Sequence, residues 1–247
     1  MNFVLNELAG LAQVAKLPGF EEAGPETVEA ILEEAAKFAS QVLAPINAEG
    51  DAVGCTWKDG DVTTPPGFKQ AYAQFVAGGW NGLNSPHQFG GQGLPKLVAS
   101  PVSEIVMSAN LGFSLCPVLT SGAIEALLLS GSESQKERYL HRLVEGSWSG
   151  TMNLTEPQAG SDLGLVRARA VPEGDHYRLY GQKIFITHGE HDMAENIVHL
   201  VLARLPDAPE GVRGISLFLV PKFLVNDDGS LGGRNDVRCV SIEHKLG

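Results

Sequence analysis

The densest run of small and polar residues in this 247-residue chain is TMNLTEPQAGSDLG, residues 151–164. Thr155 and Glu156 end a stretch of strand formers, and Pro157, with no N–H, stops a ladder there. Gln158, Ala159, Gly160, Ser161 and Asp162 then make a tight turn. Such a turn can aim several backbone N–H groups at one anion. The same composition also serves an ordinary β-turn capped by Ser and Asp. A second polar run, THGEHD, holds His188, Glu190, His191 and Asp192, with Glu195 close behind. These are metal-ligating residue types, but the spacing is not HExxH and the run reads as a surface loop, so no metal site is expected. Gly90, Gly91 and Gly93 do not spell GxGxxG and follow no clear strand, which argues against a Rossmann nucleotide site. His199, inside an apolar strand, reads as a hydrogen-bonded core residue. Phe185 in KIFIT suits either a packed strand or a cover that keeps water off a ligand.

The elements that must carry these residues change character near Trp148. Before it, apolar residues recur at helical spacing. Val28, Ile31, Leu32, Ala35, Phe38, Ala39 and Val42 make one stripe, opened by Pro25 and ended by Pro45. Phe68, Ala71, Tyr72, Phe75 and Val76 make a second, stopped at Gly78-Gly79. Residues 94–115 and 117–130 read as two buried helices, and Ser134 as the cap of the helix QKERYLHRLVEG. From Trp148 onward come seven short β-type runs: WSGTMNL, LVRARAV, HYRLY, KIFIT, NIVHLVLA, GISLFLV and RCVSIEH. Turn-forming clusters separate them. Helices followed by strands predict an α+β chain with a helical unit at 1–147 and an all-β unit at 148–247, rather than alternating βαβ units.

Composition narrows the function. Eighteen basic against 29 acidic residues give a net charge of -11, the wrong sign for a general nucleic-acid or anionic-membrane binder. No uninterrupted run of 18 apolar residues occurs, so no membrane span is expected. The start, MNFVLNELAGLAQ, lacks the basic residues of a signal peptide. Cys55, Cys116 and Cys239 form no CxxC pair, which fits a reducing, cytoplasmic setting. The last run, VRCVSIEHKLG, carries no closing signal and reads as a chain that continues.

The motif set resembles the acyl-CoA dehydrogenase family. The residues that carry the likeness are LTEPQAGSD, then GQKIFIT, with FGGQGLP, ESQKERYL, LVEGSWSG and IEHKLG in the family's order. Together they cover nearly the whole chain. The first 24 residues and the segment THGEHDMAENIVHLVLARLPDAP look like the branch of larger members that includes 3-methylmercaptopropionyl-CoA dehydrogenases.

The resemblance implies a helical N-terminal domain and a middle β-barrel, without the family's C-terminal helical bundle. It implies FAD as cofactor, with Met152, Asn153, Leu154 and Thr155 along the isoalloxazine. Gly160 and Ser161 match the turn where FAD phosphate and acyl-CoA are held, Ser161 being the substrate contact. Phe185, Ile186 and Thr187 match the segment packed on the flavin. Arg167, Arg169, Lys183 and Lys245 are candidates for the CoA phosphates. The implied reaction removes the α proton and the β hydride of an acyl-CoA thioester. The family's base is a Glu with no match here, so it is expected beyond Gly247. Glu156 matches a structural position. His188 stands where relatives carry Asn, and Phe185 where many carry Trp. The implied partners are an acyl-CoA, an electron-transfer flavoprotein and further copies of the full-length chain. The same motifs leave open an acyl-CoA oxidase, a flavin monooxygenase, or an inactive piece that serves only as a binding module.

Overall fold

The computed structural model describes residues 1–244; Lys245 and the end of the IEHKLG motif lie outside them. A short helix α1, Leu11–Val14, follows a π-turn at Val4–Leu8. Leu5, Leu11 and Ala23 pack against Val28, Leu32 and Ala35 of α2, Pro25–Phe38. Pro25 sits in the first turn of α2, where its missing N–H costs nothing. Pro45 does not end this helix. A π-turn at Ala39–Leu43 leads directly into α3, Ala44–Val53, which carries Pro45 in its first turn. The wider turn is the kind of adjustment that accommodates the absent donor.

A hairpin follows, β1 at Thr56–Lys58 and β2 at Asp61–Thr63. Next come α4 at Phe68–Ala77, α5 at Lys96–Ala109, α6 at Leu111–Ser130 and α7 at Glu133–Glu145. The break between α5 and α6 falls at Asn110, not at residue 116. Asn110 is extended, and its side chain accepts the N–H of Phe113, a stronger signal than Pro117, which α6 carries inside it. Ser132, rather than Ser134, caps α7 in a capping box with Gln135. Helix α6 has the length and mean hydropathy, 1.6, of a membrane span. It is a core helix: Phe113, Cys116, Thr120, Ala123, Ile124 and Leu127 are buried at helical spacing, and the helix packs on α5, α7 and β3.

The strands after Trp148 are β3 at Trp148–Asn153, β4 at Arg169–Glu173, β5 at His176–Tyr180, β6 at Asn196–Arg204, β7 at Ile215–Pro221, β8 at Phe223–Val225 and β9 at Leu231–Arg234. Strand β6 is the spine. It runs parallel to β3 along one edge and antiparallel to β7 along the other, and it touches β4 at Arg169–Arg204. Strands β8 and β9 form a separate hairpin. Among the described residues the sheet is open, with β5 and β7 pairing on one side only, so the expected closed barrel is not formed. KIFIT and RCVSIEH are not strands.

The register sets two faces. Trp148, Gly150 and Met152 share one face of β3 with Val198 and Leu200 of β6, packed on α6 and α7. At Gly150 a Cβ would overlap that of Ala123 on α6, so only glycine lets the helix lie this close. Ser149, Thr151 and Asn153 point the other way, with Ile197, His199 and Val201 opposite them.

Candidate functional site

The polar face of β3 builds the site. Successive outward side chains each reach the segment after β5 or the neighbouring strand. The Ser149 hydroxyl meets His191 Nε2 at 2.9 Å. The Thr151 hydroxyl donates to the Thr187 carbonyl at 2.7 Å. Asn153 Oδ1 lies 3.2 Å from His199 Nδ1. The N–H of Ile184 donates to the Thr155 carbonyl at 2.9 Å. The two motifs that sequence separates, TMNLTEP and KIFITHGEHD, are thus laced side by side.

The second motif is a loop with unusual backbone. Phe185 (φ 57°) and His188 (φ 49°) both lie in the left-handed region. That conformation is costly for a side chain with a Cβ and persists only where surroundings over-determine it. The anchors are visible. Beyond the Thr187 carbonyl, His188 Nε2 lies 3.1 Å from the Gly112 carbonyl in the first turn of α6. Glu190 takes Lys222 and Arg234 on its two oxygens, the Arg234 contact at 3.0 Å. Asp192 accepts both the N–H and the hydroxyl of Thr64, at 3.0 and 2.7 Å. The segment is therefore tied to β3, α6, the β7–β9 region and the residues after β2. Phe185 stands 55% exposed at its tip.

Two neutral imidazoles support this loop. The N–H of Met193 donates to His191 Nδ1 at 3.1 Å, so the ring proton sits on Nε2 and goes to Ser149. Burial, with the neighbouring His188, Lys222 and His199, holds His191 down at about 3. Burial together with Lys222 and Arg234 holds His199 at about 4. Burial also lowers His188, against the pull of the Gly112 carbonyl. Cys116, 3.9 Å from His191, is pushed up to about 12 by burial and is a packed thiol, not a nucleophile. Among the described residues no three His, Cys, Asp or Glu side chains converge as metal ligands.

Glu156 is closed to chemistry. It is 4% exposed and accepts from Lys183 at 2.8 Å, Gln158 at 2.6 Å, and the N–H groups of Arg167 and Ala168 at 2.8 and 3.0 Å. Burial works to raise this carboxyl, but those donors together hold it below its ordinary value. Lys183 also donates to the Leu154 carbonyl at 3.0 Å, so its ammonium is spent inside the protein and is not a surface group for a CoA phosphate. Arg167 and Arg169 are exposed.

A cleft of about 2830 Å³ opens over this face. Asn153, Phe185, Ile186, Thr187 and His199 stand on its walls, with Leu111, Gly112 and Leu115 of α6. Met152, Leu154, Thr155, Gly160 and Ser161 are not among its walls. Met152 packs into the helix-facing core. Gly160 and Ser161 are exposed on the turn closed by the Glu156–Ala159 bridge. The structure thus brings four of the nine expected flavin residues into one cavity, with Gly160 and Ser161 exposed and not among its walls. Sequence reading took His199 for core alone. It is buried and hydrogen-bonded as that reading has it, and the register of β6 against β3, which the sequence does not carry, also sets it on the cleft.

Residues 25–147 match the family model of the acyl-CoA dehydrogenase N-terminal domain, and residues 151–239 that of the middle domain. The chain is 53% identical over 246 residues to a 3-methylmercaptopropionyl-CoA dehydrogenase of Ruegeria pomeroyi, covering 99% of this chain and 42% of that protein. The butyryl-CoA dehydrogenase structure of Megasphaera elsdenii superposes with a TM-score of 0.65 at 28% identity, over 78% of this chain and 48% of that one. A glutaryl-CoA dehydrogenase of Mycobacterium smegmatis, in complex with FADH2, gives 0.62 at 26% identity, over 81% and 47%. The chain spans less than half the length of these relatives.

Proposed function

The chain belongs to the acyl-CoA dehydrogenase family, and on that premise we propose that it supplies the helical domain, 1–147, and the sheet domain, 148–247, of an FAD-dependent acyl-CoA dehydrogenase. The observation that carries the reading is the cleft over β3, with Asn153, Thr187 and an exposed, conformationally constrained Phe185 on its walls. The side chains on this face fit a flavin: hydroxyl, amide and aromatic. The complex of the Mycobacterium smegmatis relative with FADH2 supports the same cofactor.

FAD, when bound, supplies the acceptor for the hydride leaving the β carbon of the thioester. The protein's part is to hold and to exclude. Thr187 offers a non-titrating polar group where electron density accumulates, and Thr155, outside the cleft walls, holds the loop through its carbonyl bond to Ile184. Phe185 covers a face and keeps water out. Met152 and Leu154 act through the backbone they fix, since Met152 packs in the core. We assign Gly160 and Ser161, on their exposed turn, to the phosphates of cofactor and substrate, with Ser161 the substrate contact. Glu156 and Glu190, buried carboxylates among the described residues, are both engaged by cations and are not assigned as the α-proton base. The proposal extends to an acyl-CoA substrate within β-oxidation, an electron-transfer flavoprotein as acceptor, a homo-oligomeric whole protein and a cytoplasmic setting.

Anaerobic titration of the natural protein with acyl-CoA thioesters of increasing chain length tests this. Bleaching of the visible flavin band by at least one thioester is the expected result. A protein that holds FAD and bleaches with none of them refutes the dehydrogenase reading.

A further inference from the structure

The cleft floor carries a buried titratable residue that the proposed mechanism does not use. His199 lies on β6, register partner of Thr151, and is 3% exposed. Its Nδ1 is 3.2 Å from Asn153 Oδ1, an acceptor, so Nδ1 carries the ring proton and donates it. That leaves Nε2 as a lone-pair acceptor. No buried side-chain nitrogen or oxygen among the described residues lacks a partner. Nδ1 makes the ring's only hydrogen bond, and His199 lines the cleft. The small accessible part of the ring therefore includes Nε2, and the cavity is where it opens.

The ring is also held neutral. Lys222 and Arg234 lie near enough to disfavour imidazolium, and burial adds to them. A neutral ring with a fixed tautomer, locked by an amide on the next strand, is a built acceptor. Its register neighbours on the same face, Val201, Phe218 and Val220, are apolar and line the same cleft. An acceptor in such a wall selects a ligand that brings an N–H or O–H to this point, because an unmatched donor or acceptor buried there costs about 1–3 kcal/mol.

We propose that the Asn153–His199 pair is a hydrogen-bond acceptor station of the cleft, taking an N–H or O–H of the bound flavin nucleotide on His199 Nε2. The proposal rests on the flavin reading above and adds to it a residue outside the motifs. The pantetheine of an acyl-CoA offers the same donor chemistry, so the test separates the two.

FAD and acyl-CoA affinities are measured for the natural protein and for three variants, beside thermal unfolding of each apoprotein. His199→Phe keeps the ring volume and deletes the acceptor. It is expected to weaken FAD about tenfold, the worth of one hydrogen bond left unmade. His199→Gln restores an acceptor and is expected to recover most of that loss, which a merely structural residue would not do. Asn153→Asp favours the doubly protonated ring, turns Nε2 into a donor, and is expected to weaken FAD and shift its visible band. Unchanged FAD affinity and spectrum in His199→Phe and Asn153→Asp overturn the proposal. So does a loss confined to acyl-CoA affinity. If the natural protein itself holds no flavin, the functional reading fails first and this one with it.

Discussion

Mild acid should destabilise this protein well before its carboxylates protonate. His191 and His199 are buried neutral, with folded values at about 3 and about 4 against the ordinary 6.5. A histidine whose folded value is depressed costs nothing above pH 6.5. As pH falls below that, the unfolded chain binds a proton that the folded one refuses. Each unit of pH then removes about 1.4 kcal/mol per histidine, so by pH 5 the pair withholds about 4 kcal/mol. That is a large part of an ordinary margin of about 5–15 kcal/mol. The geometry supports the sign. His191 Nδ1 already accepts the Met193 N–H, so a second ring proton must break that bond. Glu156 stays ionised across this window and adds no slope, because its carboxyl is held below 4.5. Urea unfolding at pH 7, 6 and 5 measures the effect. His191→Gln, which can keep both neutral bonds, should reduce the slope. A stability that is flat from pH 7 to 5, or a slope unchanged in His191→Gln, would refute the reasoning.

Other consequences follow from single contacts. Gly150→Val forces a branched side chain into the α6 contact at Ala123 and should cost at least about 1–3 kcal/mol in denaturant unfolding; full stability would show that the helix–sheet spacing is slack. Glu156→Gln leaves the Lys183 ammonium buried without its carboxylate and should cost about 3–5 kcal/mol, whereas an unchanged urea midpoint would remove Glu156 as the clasp of the turn. Phe185→Gly deletes the exposed ring together with the left-handed strain. Flavin binding should weaken, and normal flavin affinity would free Phe185 of its proposed role.

Much of the helical half was legible because its signals are local. The Val28, Leu32 and Ala35 stripe, the Gly78-Gly79 stop and the apolar run of α6 all act within a few residues of themselves. Where prolines and caps compete, the sequence misleads. Pro45 reads as an end but sits inside a helix that a π-turn has already relaxed. In the sheet half, WSGTMNL, HYRLY, NIVHLVLA and GISLFLV are strands as their patterns predict. KIFIT has the same alternation and is not one. Its backbone is held by the Thr155 carbonyl, which accepts the Ile184 N–H, and by the Thr151 hydroxyl, which donates to the Thr187 carbonyl, both tens of residues away in sequence. Nothing within KIFIT announces a positive φ at Phe185. The barrel expectation failed for a related reason: closure depends on which edges find partners, and β-propensity does not specify pairing. The candidate site was half visible. Motif residues pointed to the strand and loop that border the cleft, but the sorting of β3 into a core face and a cleft face needed the register with β6. That sorting moves Met152 to the core and brings in His199.

The central claim is that a flavin lies along β3 and the 183–192 loop. Amide hydrogen exchange of the natural protein, with and without FAD, tests it most directly. The account predicts that FAD slows exchange at Asn153, Leu154 and Thr155 and from Ile184 to Asp192. FAD that binds while those two segments exchange as before, with protection confined to other surfaces, would contradict it.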